Sequence, residues 1–341
     1  AGAAAPYVGQ AIGATGGRPV LAASALLLAG GQVVIGLAPS LPVFLVGWVI
    51  IGAGMAAGLY DAAFSTLGRL YGSDARSAIT ALTLWGGFAS TICWPLSAYF
   101  VANLGWRGTC FAYAAIQLGI SLPLILWMLP RVPPALPYPG ATEAGRRETL
   151  SSAESRSALL LAGMMILGGA ATTIVSVQLL TLLQGQGVGL ATAVALGALV
   201  GPAQVGGRVV EMAGKGRHHP LWTMTAALAL MASGLALLST GFTPLALALV
   251  LYGAGNGVYS IARGTLPLVL FGAQRYAPIM GRLARPALIA QALAPAASAL
   301  LLERAGVNWI YAVLLSLAVV NLFLCGGLWA LARPGSSRTA G

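Results

Sequence analysis

The chain has 341 residues, 58% of them hydrophobic and 7% charged, with a mean hydropathy of +0.86 and a net charge of +11. Soluble domains carry about 25% charged residues, so this chain has too few charges to clothe a water-facing surface, and lipid is the solvent for most of it. The long apolar stretches lack the period-two alternation of a membrane barrel, which leaves helices as the spanning structure.

The N-terminus, AGAAAPYVGQ, has no initiator Met and no basic leader, and it reads as a chain entered partway through a helix. The first apolar piece, 1–15, falls short of the about 20 residues a span needs. Gly16, Gly17, Arg18 and Pro19 then break it. Spans are predicted over 20–37, 41–68, 78–102 and 108–129. Residues 130–157 change texture: Pro130, Pro133, Pro134, Pro137 and Pro139 are followed by Glu143, Arg146, Arg147, Glu148, Glu154 and Arg156. This is a polar, proline-rich linker between domains. Further spans are predicted over 158–183, 188–210, 221–239, 243–269, 278–302 and 307–332, with a short polar tail from Arg333. With one helix and half of the next supplied at the front, the order is six plus six. The domains are then an N-terminal bundle 1–129, a linker 130–157 and a C-terminal bundle 158–341.

Lys215 is the only lysine; every other basic residue is an arginine. In a soluble protein such a charge balance suggests nucleic acid, but here the charges sit in short loops between spans, which excludes that partner and encodes topology instead. One set of loops holds Arg18; Arg69 and Arg76; Arg131, Arg146, Arg147 and Arg156; Arg208, Lys215 and Arg217; Arg275, Arg282 and Arg285; and Arg333 and Arg338. The alternating set holds only Arg107 and Arg304. The positive-inside rule makes the first set cytoplasmic, with the linker and C-terminus. Cys93, Cys110 and Cys325 lie in apolar runs without metal spacing and read as small core residues. His218 and His219 have no Cys or acidic neighbour and read as solvated loop residues, and no cofactor or metal is expected. Trp106 and Trp309, near span ends, read as interfacial anchors.

The two halves echo one another. Gly54, Gly58, Tyr60, Thr66 and Leu67 match Gly253, Gly257, Tyr259, Thr265 and Leu266 in spacing, and Ile79 and Pro95 match Ile279 and Pro295. The matching spans run in the same direction, which is a parallel repeat about an axis along the membrane normal. The glycine pairs put small residues on one helix face so that backbones can approach closely. Pro95 and Pro295 are expected to kink their spans and free a carbonyl each.

Six plus six helices, a long linker and a parallel repeat together resemble the major facilitator superfamily, and the resemblance covers essentially the whole chain. Residues 9–18 resemble that family's signature loop between helices 2 and 3, G-x-x-x-D-R-x-G-R-R. Gly9, Gly16 and Arg18 fit it, but Gly13 stands where the acid belongs and Ala14 where an arginine is expected. The corresponding loop of the second half keeps Arg208 and Glu211. The family's proton-linked arginine on helix 4 is absent, with Trp48 and aliphatic residues in that region. Gly86, Gly87, Trp94 and Pro95 are only a loose echo of its helix 5 antiporter signature. Residues 58–61 and 260–264 are similar to bacterial facilitators.

An all-α membrane protein of this fold is expected to be a monomeric secondary transporter of the inner membrane, moving an organic anion or drug-like compound by alternating access, with protons as a possible coupling ion. Its alternatives are a transport-inactive fragment or scaffold and, in third place, a membrane enzyme. The enzyme needs a cluster of acids, His or Cys that the spans lack. Ionisable groups inside spans are costly and functional by default. Two stand well inside, Asp61 and Arg263 on equivalent helices, expected to face the cavity as a gate pair or as substrate and proton ligands, or to form a structural ion pair. Tyr60, Gln178, Gln204, Asn256, Tyr259 and Gln291 form an uncharged second tier of pathway candidates. Gly9, Gly16, Arg18, Arg208 and Glu211 are the gating-loop candidates.

Overall fold

The computed structural model describes residues 2, 4–87, 89–131, 151–214, 218–240 and 244–332. Most of the predicted linker, including Pro133 to Glu148, lies outside the described residues, as do Lys215, Arg217, Arg333 and Arg338. All regular structure among the described residues is helical, in an all-α membrane fold. Nine helical stretches among the described residues are long and apolar enough to cross a membrane. Residue 88, within the predicted span 78–102, is likewise not described.

In chain order the helices are α1 (Ala5–Thr15), α2 (Gly17–Leu37), α3 (Leu41–Gly58), α4 (Tyr60–Tyr71), α5 (Ala75–Gly87), α6 (Ala89–Ile116), α7 (Leu122–Met128), α8 (Ser152–Gln184), α9 (Leu190–Gly197), α10 (Val200–Ala213), α11 (Pro220–Ser239), α12 (Leu245–Ala305) and α13 (Val307–Ala332). A π-helical turn, Gln117–Ser121, joins α6 to α7. Pro123 follows it and has no N–H for the carbonyl of Gly119, which widens the turn there. Helix α8 opens on a capping box: the Ser151 N–H donates to Glu154 Oε2 at 2.9 Å and the Glu154 N–H donates to Ser151 Oγ at 3.2 Å.

Several consecutive helices turn on a single glycine. Gly105 interrupts α6 at φ 69°, ψ 175° and Gly272 interrupts α12 at φ 74°, ψ 161°. Gly16 and Gly306 join their helices with the same backbone signs. Only glycine visits this region readily. Gly105→Ala is therefore expected to lower stability by about 1–3 kcal/mol, read as a drop in thermal midpoint in detergent.

The chain packs as two units: Ala1–Arg147 with Phe271–Arg285, and Glu148–Leu270 with Pro286–Gly341. In unit 1, α2 lies along α3 through small residues. A Cβ on Gly31 would lie 2.9 Å from the Gly47 carbonyl oxygen, and one on Gly47 would lie 2.5 Å from Ile35. Gly54 meets Leu28, Gly58 meets Ser24, and Ser24 Oγ donates to the Gly54 carbonyl at 2.7 Å. With no hydrophobic drive between helices in lipid, such approaches supply the dispersion that holds them. In unit 2, Gly253 and Gly257 of α12 meet the backbone of α10 at Val200 and Gln204, and Gly255 meets the Ala227 carbonyl of α11 at 2.7 Å.

The glycines that match in spacing nonetheless meet different neighbours. Gly54 faces the helix immediately before its own, as Gly255 does, whereas Gly253 and Gly257 face the one before that. Leu59, with an extended backbone (φ −78°, ψ −175°), separates α3 from α4. Beyond it the predicted spacing holds. Thr66 and Thr265 are both buried, and each bonds the carbonyl four residues back, at 2.9 Å and 3.0 Å. Backbone dihedrals stay helical through both Pro95 and Pro295.

Candidate functional site

Two candidates of unit 2, Tyr259 and Gln291, converge on one stretch of α8. Gly168 and Gly169 leave a groove into which two neighbouring helices reach. A Cβ on Gly168 would collide with the Tyr259 hydroxyl, and one on Gly169 would lie 2.7 Å from Gln291 Nε2. Tyr259 Oη donates to the Met164 carbonyl at 3.0 Å, one turn back along α8. Gln291 Nε2 donates to the Ala287 carbonyl of its own helix at 3.2 Å. Pro295 has no N–H to offer the Gln291 carbonyl, so this residue brings a backbone acceptor as well as its amide.

Asn321 of α13, 2% exposed, completes the group. Its Nδ2 lies 3.4 Å from the same Met164 carbonyl, and its Oδ1 is buried with no hydrogen-bond partner among the described residues. A buried acceptor left unmade costs about 1–3 kcal/mol, so the position calls for a ligand donor or a water. Sequence reasoning missed Asn321. Its signal was an amide deep inside the apolar run 307–332, weaker than the glutamines and tyrosines weighed above.

Gln178 stands more than two turns further along α8, where its Nε2 donates to Ser298 Oγ at 3.3 Å. Gln291 and Ser298 thus join α8 to the second leg of α12 at two levels, as a seam of uncharged polar groups. Asn256, Tyr259 and Arg263 are spaced three and four apart and share one face of α12. Gln204 is half-buried, and its backbone rather than its amide makes the close contact with Gly257. Below it on α10, Arg208 is 6% exposed and its Nε donates to Ser260 Oγ at 3.3 Å, while Glu211 Oε1 accepts from Thr223 Oγ1 at 2.9 Å. Both signature-loop residues of this half therefore tie α10 to its neighbours.

In unit 1, Asp61 is half-buried in the first turn of α4, just past the Leu59 break, where the helix presents its N-terminal end. Tyr60 stacks on Phe64 with ring centroids 5.3 Å apart, and its hydroxyl lies against Gly86 of α5. Arg18 caps the end of α7 by donating from Nη2 to the Leu126 carbonyl. Gly16 makes the turn from α1 to α2, and Gly9 is buried in a helix contact taken up below. Asp61 belongs to unit 1 and Arg263 to unit 2. His219 Nδ1 accepts from the Leu221 N–H at 3.2 Å and so caps α11.

A family model described as the Major Facilitator Superfamily matches residues 1–282. No curated protein matches the chain significantly. Solved structures with similar folds include the human organic anion transporter MFSD10 (TETRAN), with a TM-score of 0.70 and 19% identity, covering 94% of this chain and 80% of that one. The E. coli fucose:proton symporter FucP gives 0.71 at 15% identity over 95% and 87% of the two chains. The proton:xylose symporter XylE, bound to 6-bromo-6-deoxy-D-glucose, gives 0.74 at 13% identity over 97% and 83%. At these identities the likeness is one of fold.

Proposed function

This chain belongs to the Major Facilitator Superfamily and is a secondary transporter rather than an enzyme; from that premise we propose that its solute is a small organic anion or drug-like compound, held in part by the polar group around Gly168 and Gly169. The observation that carries this reading is the convergence of Tyr259, Gln291 and Asn321 on that glycine pair, with a buried carbonyl oxygen still lacking a donor. Arg263, on the Tyr259 face of α12, supplies a positive charge for the solute's acidic end. Asp61 is the acid within a span suited to carry a proton that would couple transport to a gradient. The alternation of arginine-rich and arginine-poor loops supports a cytoplasmic-membrane location with the linker and C-terminus inside.

The test is uptake of labelled organic anions into liposomes carrying the full chain, under an imposed pH gradient. Gradient-driven uptake is expected, lost in Asp61→Asn and weakened chiefly through KM in Tyr259→Phe. Uptake in Asp61→Asn at the parental rate would remove the carboxylate from the proton path. Failure of any anion or drug-like probe to enter would favour a non-transporting scaffold.

A further inference from the structure

Residues 9–18 contain no carboxylate, because Gly13 occupies the acidic position of the family signature. Another set of contacts holds this end of unit 1 together. Half-buried Arg69, in the last turn of α4, donates from Nη1 to the carbonyl of Ile12 at 2.9 Å and to that of Gly13. Those carbonyls lie in the final turn of α1, at the negative end of its helix dipole, so the bonds are charge-assisted.

Helix α1 in turn seats on residues 275–285 by backbone contact. A Cβ on Gly9 would lie 2.5 Å from the Ala277 carbonyl oxygen, and one on Gly281 would lie 2.7 Å from the Ala5 carbonyl oxygen. Ile12, Ala62 and Ala277 form one buried cluster across α1, α4 and this segment. Tyr276, fully buried, packs on Gly68, one residue before Arg69. The segment Phe271–Arg285 comes from the second half of the chain, yet it clusters with unit 1.

We propose that Arg69 is a positioning residue that grips the carbonyl end of α1, keeps Gly9 seated on Ala277 and Gly281, and so holds this arginine-rich end of unit 1 closed. The inference rests on alternating access, in which such a seat must part once per cycle. Its test needs no solute, so its failure is separable from failure of the substrate assignment. Cys93, Cys110 and Cys325 are replaced by alanine, and Ala277→Cys is added at a position only 4% exposed in the closed seat. The readout is the rate of maleimide labelling of the purified full chain. Labelling is expected to be slow in this background, about tenfold faster with Arg69→Gln, as for loss of one hydrogen bond to a charged group, and largely slowed again with Arg69→Lys. An unchanged rate in Arg69→Gln with an unchanged thermal midpoint overturns the proposal. Should that variant not fold, Gly9→Ala decides: its methyl must lift α1 from Ala277, and labelling at the background rate overturns the proposal equally.

Discussion

Gly257→Leu is expected to destabilise unit 2 by about 3 kcal/mol or more, at the upper end of what overpacking a tight contact costs. The new Cβ would lie 2.8 Å from the backbone carbonyl carbon and Cα of Gln204, atoms that no rotamer change can move aside. Helices α10 and α12 would have to part, and the Arg208–Ser260 bond at 3.3 Å, one turn further on, would part with them. The check is the thermal midpoint in detergent, with Gly206→Leu as control. Gly206 is exposed on α10 and has nothing within 4 Å of its added Cβ, so that change should stay within about 0.5 kcal/mol of the parent. Equal midpoints for the two variants would remove the close approach of α10 and α12.

The second large effect falls on transport rather than folding. Gly168→Ala places a methyl against the Tyr259 hydroxyl, 2.7 Å from Cζ and 3.2 Å from Asn321 Nδ2. Tyr259 must swing away, which breaks its bond to the Met164 carbonyl and misplaces the ring by more than the about 0.5 Å a binding constellation tolerates. Uptake is expected to fall about tenfold or more, while the protein still elutes as a single folded species. Tyr259→Phe in the Gly168→Ala background removes the colliding oxygen and should restore part of that loss. The two changes are then coupled, as residues in contact are. Strictly additive losses would show that Gly168 and Tyr259 act separately.

The membrane fold was legible because lipid imposes few solutions. Charge scarcity, span length and arginine alternation each pointed to the same helices. The glycines of positions 54, 58, 253 and 257 were legible as points of close approach, but not the helix each would meet. Nor was the break at Leu59 legible, since an ordinary aliphatic residue carries no turn signal, yet its extended backbone ends α3. The same break changes the setting of Asp61, which a continuous span 41–68 placed in mid-helix and the structure places in a first turn. Arg69 looked like one more loop charge in the topology count. Its reach to Ile12 and Gly13, more than fifty residues earlier, is tertiary and leaves no local trace. Gln178, Tyr259 and Gln291 stood out as polar side chains in hydrocarbon. Asn321 did so less, since an amide deep within a long apolar run is more often a structural bond.

The joints at Gly105 and Gly306 bear on how the protein is made. One residue is too little chain for a helix to leave the translocon and settle in lipid before the next arrives. The two legs of α6, and α12 with α13, therefore have to insert as closed hairpins. Arg107 follows Gly105 by two residues and Arg304 precedes Gly306 by two, so the only arginines of the sparse loops ride at these hairpin tips. Arg107 is already engaged there, donating to the Ala38 carbonyl at 3.1 Å and lying 4.3 Å over the Trp106 ring. A tip that arrives with its guanidinium partly satisfied lowers the desolvation the hairpin meets in crossing, and an inserted residue at Gly105 would disturb biogenesis before it disturbed the finished fold.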